Sequence, residues 1–503
     1  MRVVGGGLGG LTAAALLADA GIRVAVHEQH EVTGGFGHNW ARLARPRDHT
    51  GASLRFRFDS GVHDISGWQD DGSVRAVFAR LGIEGAVEMR RLDHRFWTMG
   101  EVFDPPCGPA AYADALAALH PEDAAGLRHA LAEIHDILLA MISTGAERGG
   151  IPGPPRTLGA KLAFLRANPL AVTWLPRRWT DFVARHVRGE AARQRLSALG
   201  FYLSDRPATL TVQQMTPLFG YFFFGGVYPA GGSGRLAAAL TDAIRARGGE
   251  VHLGHRVLRI LDDGGRASAV VVRDTAGREQ VLPAAAVVLN ADPLGARNLL
   301  PGGGLASALR GASPACSAFA VYLGIRGAPD MPPLVHARTR LGPVEIVAPS
   351  LVDPTAAPPG YSTLELMAVM PQAEAATWMP PEYSYPPAPD DWRRSSAYRT
   401  RKAAIGDQLV SRAAEVLPDL PGRIVFRADA SPATFLRYAW TSCGSIYGAD
   451  RPLPRKQPLP GLVVAGAATH GPGVEAVMIS GADAAEALLP GLLGRKPYRV
   501  KHA

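Results

Sequence analysis

The beginning of the chain constrains its fold more than any other stretch of the sequence. Gly5, Gly7 and Gly10 stand at GxGxxG spacing after the short apolar run at residues 2–4, and a helical pattern of apolar residues begins at Leu11. A strand, a tight turn and a helix in this order place backbone N–H groups at a helix N-terminus, where they can receive a pyrophosphate. The spacing therefore predicts a βαβ unit that binds a dinucleotide.

An acidic residue ends the second predicted strand. Gly21 closes the helix, residues 23–27 read RVAVH, and Glu28 follows 18 residues after Gly10. An acidic side chain in this position can accept hydrogen bonds from both hydroxyls of an adenosine ribose, and it disfavours a 2′-phosphate. A glycine-rich turn in an ordinary βαβ unit would not require Glu28, so this residue strengthens the nucleotide-binding interpretation.

The following segments indicate which dinucleotide binds. An NAD domain would continue with regular βαβ units, whereas this chain reads TGGFGHNW, then an Arg- and Pro-rich stretch, then FRFDSGVHDISGW. Gly34 and Gly35 allow the backbone to pass close to a ribityl or phosphate group. Near the other end, GLVVAGAATHGPGVEAVMISG predicts a strand, a tight loop and a helix over 474–489. Two helix N-termini from opposite ends of the chain suit one long, doubly charged cofactor and favour FAD.

Several motifs in a fixed order carry a resemblance to a known family. They are GxGxxG with Glu28, the Gly34-Gly35 pair, FDSGVH, GGSGRLAAAL at 231–240, LNAD at 289–292 and GAATHGPGVEAVMISG. Over nearly its whole length the chain resembles the FAD-dependent phytoene desaturase, carotenoid isomerase and retinol saturase family of the amine oxidase-like flavoproteins. His38, Trp40 and the stretch SPATFLRYAWTSCGSIYGAD are most similar to the retinol saturase and carotenoid isomerase branch.

The resemblance implies an α/β fold, with a discontinuous Rossmann-like FAD-binding domain of the GR2 or amine oxidase type and an α+β substrate domain. The FAD-binding domain would comprise residues 1–108, 225–305 and 425–503. The substrate or cap domain would comprise 109–224, which is mostly helical by pattern, and 306–424, which combines strand-like runs with a helix.

We expect FAD to contact both glycine-rich motifs and the segment between them. Val257 is included because the backbone at this position meets the adenine in the family that the chain resembles. The expected contacts are Gly5, Gly7, Leu8, Gly9, Gly10, Glu28, Gly34, Gly35, Val257, Gly466, Val474 and Glu475.

Three side chains are candidates for acid/base chemistry beside the flavin. Glu475 begins the closing helix and could act as an acid beneath apolar walls. The alternative is that it only caps the helix, where the dipole favours an acidic residue. His63 and His38 lie in glycine-rich loops, and each could donate to a flavin carbonyl, protonate substrate or serve as a structural donor. No set of His, Cys and acidic residues has metal-ligand spacing, so no metal is predicted.

The composition is that of a globular protein with a basic surface. Hydrophobic residues make up 47% and charged residues 19% of the 503 residues, and the formal charge is +8. The charge is mostly arginine and thinly spread, so we expect no nucleic-acid partner, although a peripheral contact with anionic lipid fits it. Cys107, Cys316 and Cys443 are far apart, which argues against a disulfide framework. Without an apolar run of about 18 residues or a signal-like N-terminus, we expect a cytoplasmic protein.

An aromatic run precedes the middle part of the predicted FAD-binding domain. Residues 218–224 read LFGYFFF. These side chains could line a tunnel for a lipophilic substrate or touch a membrane surface, and they could equally form a buried strand that returns to the cofactor domain.

Three hypotheses about function follow. The leading one is an FAD-dependent oxidoreductase that desaturates, saturates or isomerises carbon–carbon bonds of a lipophilic, polyene or isoprenoid-like substrate. The second is an FAD-dependent tailoring oxidase of a biosynthetic pathway with a more polar substrate, which the basic segment at 41–57 would suit. The third is a flavin-free prenyl-binding escort of the Rab GDP-dissociation-inhibitor type, against which the intact Glu28 and glycine motifs argue. Oxygen, a quinone or an external reductant are all compatible with the sequence as electron partner.

Overall fold

The computed structural model describes residues 1–45, 53–155, 157–300, 307, 309–379, 393, 395–451, 453 and 457–494. Within these residues the strands form a five-stranded sheet, a seven-stranded sheet and three smaller sheets. The strands are β1 Arg2–Val4, β2 Ala25–Glu28, β3 Asn39–Ala44, β4 Leu54–Asp59, β5 Met89–Leu92, β6 His94–Thr98, β7 Glu101–Phe103, β8 Gly226–Pro229, β9 Glu250–Leu253, β10 Arg256–Asp263, β11 Arg266–Arg273, β12 Glu279–Pro283, β13 Val287–Leu289, β14 Ser317–Arg326, β15 Leu334–Thr339, β16 Gly342–Val347, β17 Tyr361–Met370, β18 Ile424–Ala430 and β19 Leu462–Val464.

The α-helices of the described residues connect these strands and form a separate helical region. They are α1 Leu8–Asp19, α2 Ser73–Arg80, α3 Pro109–Leu119, α4 Ala124–Ser143, α5 Leu158–Ala167, α6 Pro169–Trp174, α7 Trp179–His186, α8 Glu190–Leu196, α9 Val212–Met215, α10 Gly234–Ala246, α11 Pro293–Ala296, α12 Pro349–Val352, α13 Gln372–Ala376, α14 Ser396–Val416, α15 Leu420–Arg423, α16 Pro432–Ala439, α17 Ala467–His470 and α18 Val474–Leu488.

The five-stranded sheet is parallel, in the order β19-β13-β1-β2-β9. It takes strands from the beginning, the middle and the end of the chain. Val3, Val26 and Val288 are fully buried, because a parallel sheet is covered on both faces. Helix α1 is buried along its whole length and packs against α10 and α18. A Cβ on Gly481 would collide with the carbonyl oxygen of Gly9, so α1 and α18 approach as closely as only glycine allows.

The seven-stranded sheet has the order β18-β14-β17-β16-β15-β6-β7 and is antiparallel except where β6 runs beside β15. Helix α14 packs on β14, β16 and β17. The predicted domain boundaries at 108 and 425 cross this sheet, since β6 and β18 pair with strands of residues 306–424 and β7 pairs with β6. The division into two domains stays a prediction, but strands 94–103 lie with the second predicted domain.

Helices α3 to α9 form the helical region, whose core contains the aromatic run. The aromatic residues form helical turns at 216–219 and 221–225, so the alternative of a strand is wrong for 218–224, and the strand β8 begins directly after them at Gly226. Phe219, Phe222 and Phe223 are buried among other aromatic side chains, so they do not form an exposed surface. Across the described ranges, no helix has both the length and the apolar character needed to cross a lipid bilayer.

Candidate active site

A cavity of about 730 Å³ lies where the parallel sheet, the seven-stranded sheet and the helical region meet. One end is lined by the turn after β1 and by the ends of β2 and β13, and the other by β6, β15, β16 and residues of the helical region. Ligands of open parallel sheets bind beyond the carboxyl ends of the strands. The position of the cavity therefore agrees with the predicted dinucleotide site.

The first glycine motif forms the turn between β1 and α1. Gly5 has φ +93° and donates its N–H to the carbonyl of His27 (2.9 Å). Gly7 is the N-cap of α1, whose N-terminus has no side-chain cap, so backbone N–H groups of the first turn face the cavity without competition. Gly10 does not line the cavity; a Cβ there would collide with the carbonyl of Gly5, so Gly10 serves the packing of the turn.

Glu28 stands at the end of β2, as the motif predicts. Its Oε2 accepts a hydrogen bond from Gly6 N (2.6 Å), and its Oε1 accepts one from His30 N (2.8 Å). Burial raises the pKa of Glu28 despite these bonds. Each carboxylate oxygen keeps a further lone pair for a ribose hydroxyl.

The closing helix α18 directs a second N-terminus at the cavity. Its N-cap is Gly473, with φ +98° and no side-chain cap. A Cβ on Gly471 or Gly473 would meet nothing within 4 Å, so open space lies in front of this loop. Two uncapped helix N-termini, Glu28 and an open glycine loop on one cavity fit FAD, whose pyrophosphate and reduced ring both carry negative charge.

The structure brings most of the predicted cofactor and catalytic residues to this one cavity. Those that line it are Gly5, Gly7, Leu8, Gly9, Glu28, Gly34, Gly35, His38, His63, Val257, Gly466 and Val474. Gly10 and Glu475 are not among its lining residues.

Glu475 points away from the cavity. Its Oε2 accepts a hydrogen bond from Ser66 Oγ (2.5 Å), and its Oε1 accepts one from Ser73 Oγ (2.6 Å) on α2. Successive helical residues differ in direction by about 100°, so Val474 meets the cavity while Glu475 meets α2. The carboxylate ties α18 to α2, and we assign it no direct part in the chemistry.

His38 lines the cavity, but both of its ring nitrogens are occupied. Nδ1 lies 2.6 Å from the carbonyl of Gly35, and Nε2 lies 3.0 Å from Ser60 Oγ. Burial lowers the pKa of His38, which favours the neutral ring. Because a carbonyl can only accept, Nδ1 carries the proton and Nε2 accepts from the serine. This arrangement is that of a structural donor that holds the Gly34-Gly35 loop.

His63 lies at the cavity wall and is charged. His63 lies in the loop that follows β4. At the start of this loop Asp59 accepts hydrogen bonds from the hydroxyls of Tyr228 and Ser233, and at its end Ile65 pairs with Val227. Burial would lower the pKa of His63, but the Glu345 carboxylate on its Nε2 outweighs that effect and raises the pKa to about 9. Nδ1 of His63 makes no hydrogen bond with the described residues.

Glu345 joins His63 to further buried groups, and we call His63, Asp64, His94, His336 and Glu345 the buried polar cluster. His336 Nδ1 lies 3.6 Å from Glu345 Oε2, His94 Nδ1 lies 3.1 Å from His336 Nε2, and His94 Nε2 lies 3.2 Å from Asp64 Oδ2. Burial would raise the pKa of Glu345, but His63 outweighs it and lowers that pKa. Burial lowers the pKa of His336. The cluster thus contains an ionised pair, His63 and Glu345, next to a neutral imidazole.

Of this cluster, only His63 is predicted from the sequence. His336 and Glu345 are direct cross-strand partners in the β15–β16 hairpin. The available signal was a histidine in one apolar strand and a glutamate in the next. Charged residues are rarely buried without a partner, so these two residues could have been expected to pair. His94 reaches the cluster through the pairing of β6 with β15, which no local pattern indicates.

The part of the cavity around the cluster is walled by aromatic and apolar side chains. They include Phe96, Leu199, Phe201, Tyr202, Tyr221 and Tyr447. Burial raises the pKa of the three tyrosines well above the usual value, so they remain neutral phenols. Arg195 and Arg338 line the same part of the cavity and offer charge to a polar end group.

The basic segment at 41–57 does not supply Arg57 to the cavity. Residues 46–52 of the segment at 41–57 lie outside the described residues. Arg57 forms an ion pair with Asp353 and does not line the cavity. Tyr438 lines the cavity, whereas the neighbouring Arg437 does not.

Comparisons with known proteins agree with this geometry. The model of the family described as flavin containing amine oxidoreductase matches residues 8–489. All-trans-retinol 13,14-reductase of Homo sapiens is 26% identical over 91% of this chain and 78% of its own length. Phytoene desaturase (lycopene-forming) of Pseudescherichia vulneris is 25% identical, covering 97% of this chain and 99% of its own.

The fold is also found among solved structures. An oxidoreductase from Methanosarcina mazei superposes with a TM-score of 0.59 at 19% identity, covering 95% of this chain and 98% of that one. Because the family match spans almost the whole chain and the cavity fits FAD, the flavin-free escort hypothesis is not supported. The chain belongs to the flavin containing amine oxidoreductase family and is an FAD-dependent oxidoreductase.

Proposed function

We propose that this oxidoreductase acts on carbon–carbon bonds of a lipophilic, polyene-type substrate. The observation that carries the proposal is one cavity that continues from the FAD-binding motifs to an apolar region around the buried polar cluster. Apolar walls with a few polar groups suit a hydrocarbon chain that is held in one orientation. Two relatives are named for reactions of retinol and of phytoene, which supports the same substrate class.

His63 is the group that we propose to exchange a proton with the substrate. Bound FAD supplies two-electron transfer, and a carbon skeleton that gains or loses these electrons also gains or loses a proton. His63 lines the cavity, its pKa is raised to about 9, and its Nδ1 is buried without a hydrogen-bond partner among the described residues. Glu345 fixes the ring through Nε2 and balances its charge in a buried place.

The charge state of His63 supports the saturating direction. A double bond that accepts one hydrogen together with two electrons at one carbon takes a proton at the neighbouring carbon, and an imidazolium is ready to give that proton. Removal of hydrogen would instead require the neutral ring, which a pKa of about 9 makes scarce at neutral pH.

The tailoring-oxidase hypothesis with a more polar substrate has less support. It was based on the basic segment at 41–57, of which Arg57 is neutralised by Asp353 away from the cavity. The polar groups that do line the cavity include Arg195 and Arg338, which suit a single polar end group on an otherwise apolar molecule.

Anaerobic turnover tests the proposal. The purified protein should be yellow and release FAD; after photoreduction, all-trans-retinol or an acyclic carotenoid should reoxidise the flavin, whereas a polar amine such as putrescine should not reduce the oxidised flavin. A colourless protein that cannot be reconstituted with FAD would contradict the assignment as a flavoprotein. Reduction of the oxidised flavin by the amine, without reoxidation of the reduced flavin by either polyene, would contradict the substrate class alone.

We also propose that helix α5 makes peripheral contact with an anionic membrane, from which a lipophilic substrate would enter. None of the residues of α5 is buried, and Leu158, Leu162 and Leu165 are 74%, 44% and 47% exposed. Lys161 and Arg166 are exposed on the same helix. Exposed leucines with nearby cations fit the surface of an anionic bilayer, because apolar burial and charge attraction then add.

Vesicle sedimentation tests this contact. Vesicles with anionic lipid should bind the wild type, and the double change Leu162→Ser and Leu165→Ser should weaken binding at least about 10-fold, because two leucines are worth about 3 kcal/mol of apolar burial. Leu341→Ser is the matched control, since Leu341 is 57% exposed on the distant β15–β16 turn. Binding that is unchanged in the double variant would contradict the assigned surface.

A further inference from the structure

A second group of titratable side chains lies in the helical region, away from the cavity. His129 and Glu133 are one helical turn apart on α4, and His186 is the last residue of α7. One ligand atom from each of the three residues lies within 4.8 Å of the other two. None of them lines the cavity described above.

The approaches between these three side chains are short. His129 Nε2 lies 3.2 Å from Glu133 Oε1, and His186 Nε2 lies 3.1 Å from Glu133 Oε2. Despite these distances, His186 Nε2 and Glu133 Oε2 are buried and lack a partner with hydrogen-bond geometry among the described residues. The side chain of His186 is only 7% exposed. His186 Nε2 and Glu133 Oε2 are therefore close together, but their orientation does not suit a hydrogen bond between them.

This arrangement is expected of ligands that surround a common point. In a tetrahedral zinc site with ligand distances of about 2.0–2.1 Å, neighbouring ligand atoms are about 3.3–3.4 Å apart. The observed separations of 3.2 and 3.1 Å are close to that value. Two histidines and one carboxylate also form a known donor set for zinc. His129 is 66% exposed, which leaves the fourth position open to water.

The surroundings favour a bound cation over three free side chains. Trp174 and Phe182 pack against the His186 ring at centroid distances of 6.1 and 4.7 Å. These apolar side chains shield the His186 side of the ligand set, and an apolar shell controls the access of solvent to a metal site.

We propose that His129, Glu133 and His186 bind a divalent transition-metal ion of the zinc type, which fastens the end of α7 to α4. The ion would hold two helices of the helical region together and take no part in the redox reaction. This inference does not depend on the proposed function, because none of its residues contacts the cavity.

Calorimetric titration of zinc into untagged, chelator-treated holoprotein tests the proposal. We expect saturable binding of a single equivalent and a higher midpoint of thermal unfolding with zinc present. His129→Ala and Glu133→Gln should each weaken binding by about 100-fold or more, since even outer-shell partners of metal ligands are worth about 10- to 100-fold. Asp136→Asn is the control, because Asp136 is an exposed acid on the same helix.

Each outcome decides the proposal. Loss of binding in both ligand variants with binding retained in Asp136→Asn supports it. No saturable binding to the wild type would overturn it, as would binding unchanged in the ligand variants. An equal loss in Asp136→Asn would also overturn it, because the helix charge would then account for the affinity. Circular dichroism of each variant shows whether the helices are intact.

Discussion

Replacement of Glu345 by glutamine should change the pH dependence of the reaction. The Glu345 carboxylate is what keeps the pKa of His63 at about 9 in a buried place. In Glu345→Gln the amide cannot replace the lost charge, so the pKa falls to the ordinary value of 6.5 or below. This change removes about 3 kcal/mol of preference for the imidazolium.

The size of the effect follows from the protonated fractions. At pH 8, a group of pKa about 9 is about 90% protonated, and a group of pKa 6.5 is about 3% protonated. If the proton of His63 enters the substrate, the rate of polyene reduction at pH 8 should fall about 30-fold or more. At pH 5.5 these fractions are about 100% and about 90%, so the difference should be small.

Stopped-flow reoxidation of the reduced flavin by a polyene, measured from pH 5.5 to 9, checks this prediction. The control is Glu250→Gln, which removes a carboxylate 2.7 Å from His252, outside the buried polar cluster. Glu250→Gln should reproduce the wild-type profile. A Glu345→Gln profile that is merely scaled down by one factor at every pH would refute the role of His63 as proton donor.

Three further substitutions test other parts of the structure. Glu28→Ala should weaken FAD binding about 10- to 100-fold, as expected when hydrogen bonds to a charged group are lost. The fluorescence of released FAD measures the affinity, and an unchanged affinity would contradict the ribose contact. Gly481→Ala should lower the free energy of unfolding by about 1–3 kcal/mol because its Cβ meets the Gly9 carbonyl. Gly159→Ala, which has open space around its Cβ, should instead raise the free energy of unfolding by up to about 1 kcal/mol. Glu475→Gln should lower thermal stability but leave the rate of flavin reoxidation within about twofold of the wild type, since the carboxylate accepts hydrogen bonds from Ser66 and Ser73. A large loss of rate in folded enzyme would show that Glu475 acts at the site.

The features that the sequence predicted correctly depend on short stretches of chain. The turn at Gly5 and Gly7 and the acid at Glu28 belong to one βαβ unit of about thirty residues, whose geometry is the same wherever it occurs. The closing helix was placed at 474–489 and is observed at Val474–Leu488. Such units form by local contacts, so their spacing is sufficient to identify them.

The features that the sequence did not reveal depend on contacts between distant segments. The buried polar cluster joins the loop after β4 to β6 and to the β15–β16 hairpin, and only the sheet pairing brings His63 to Glu345. The direction of Glu475 depends on how α18 is rotated against α2. The aromatic run at 218–224 was ambiguous because a short apolar run has no period that distinguishes a strand from buried helical turns.

The mass of the product from a single anaerobic turnover tests the central claim most directly. Protein with photoreduced FAD is mixed with all-trans-retinol, and the extract is analysed by mass spectrometry alongside a sample that received oxidised protein. The account predicts a product heavier by two hydrogens that forms in step with flavin reoxidation, and its yield at pH 8 should fall in Glu345→Gln. Flavin that stays reduced in the presence of retinol and of acyclic carotenoids alike would contradict the claim.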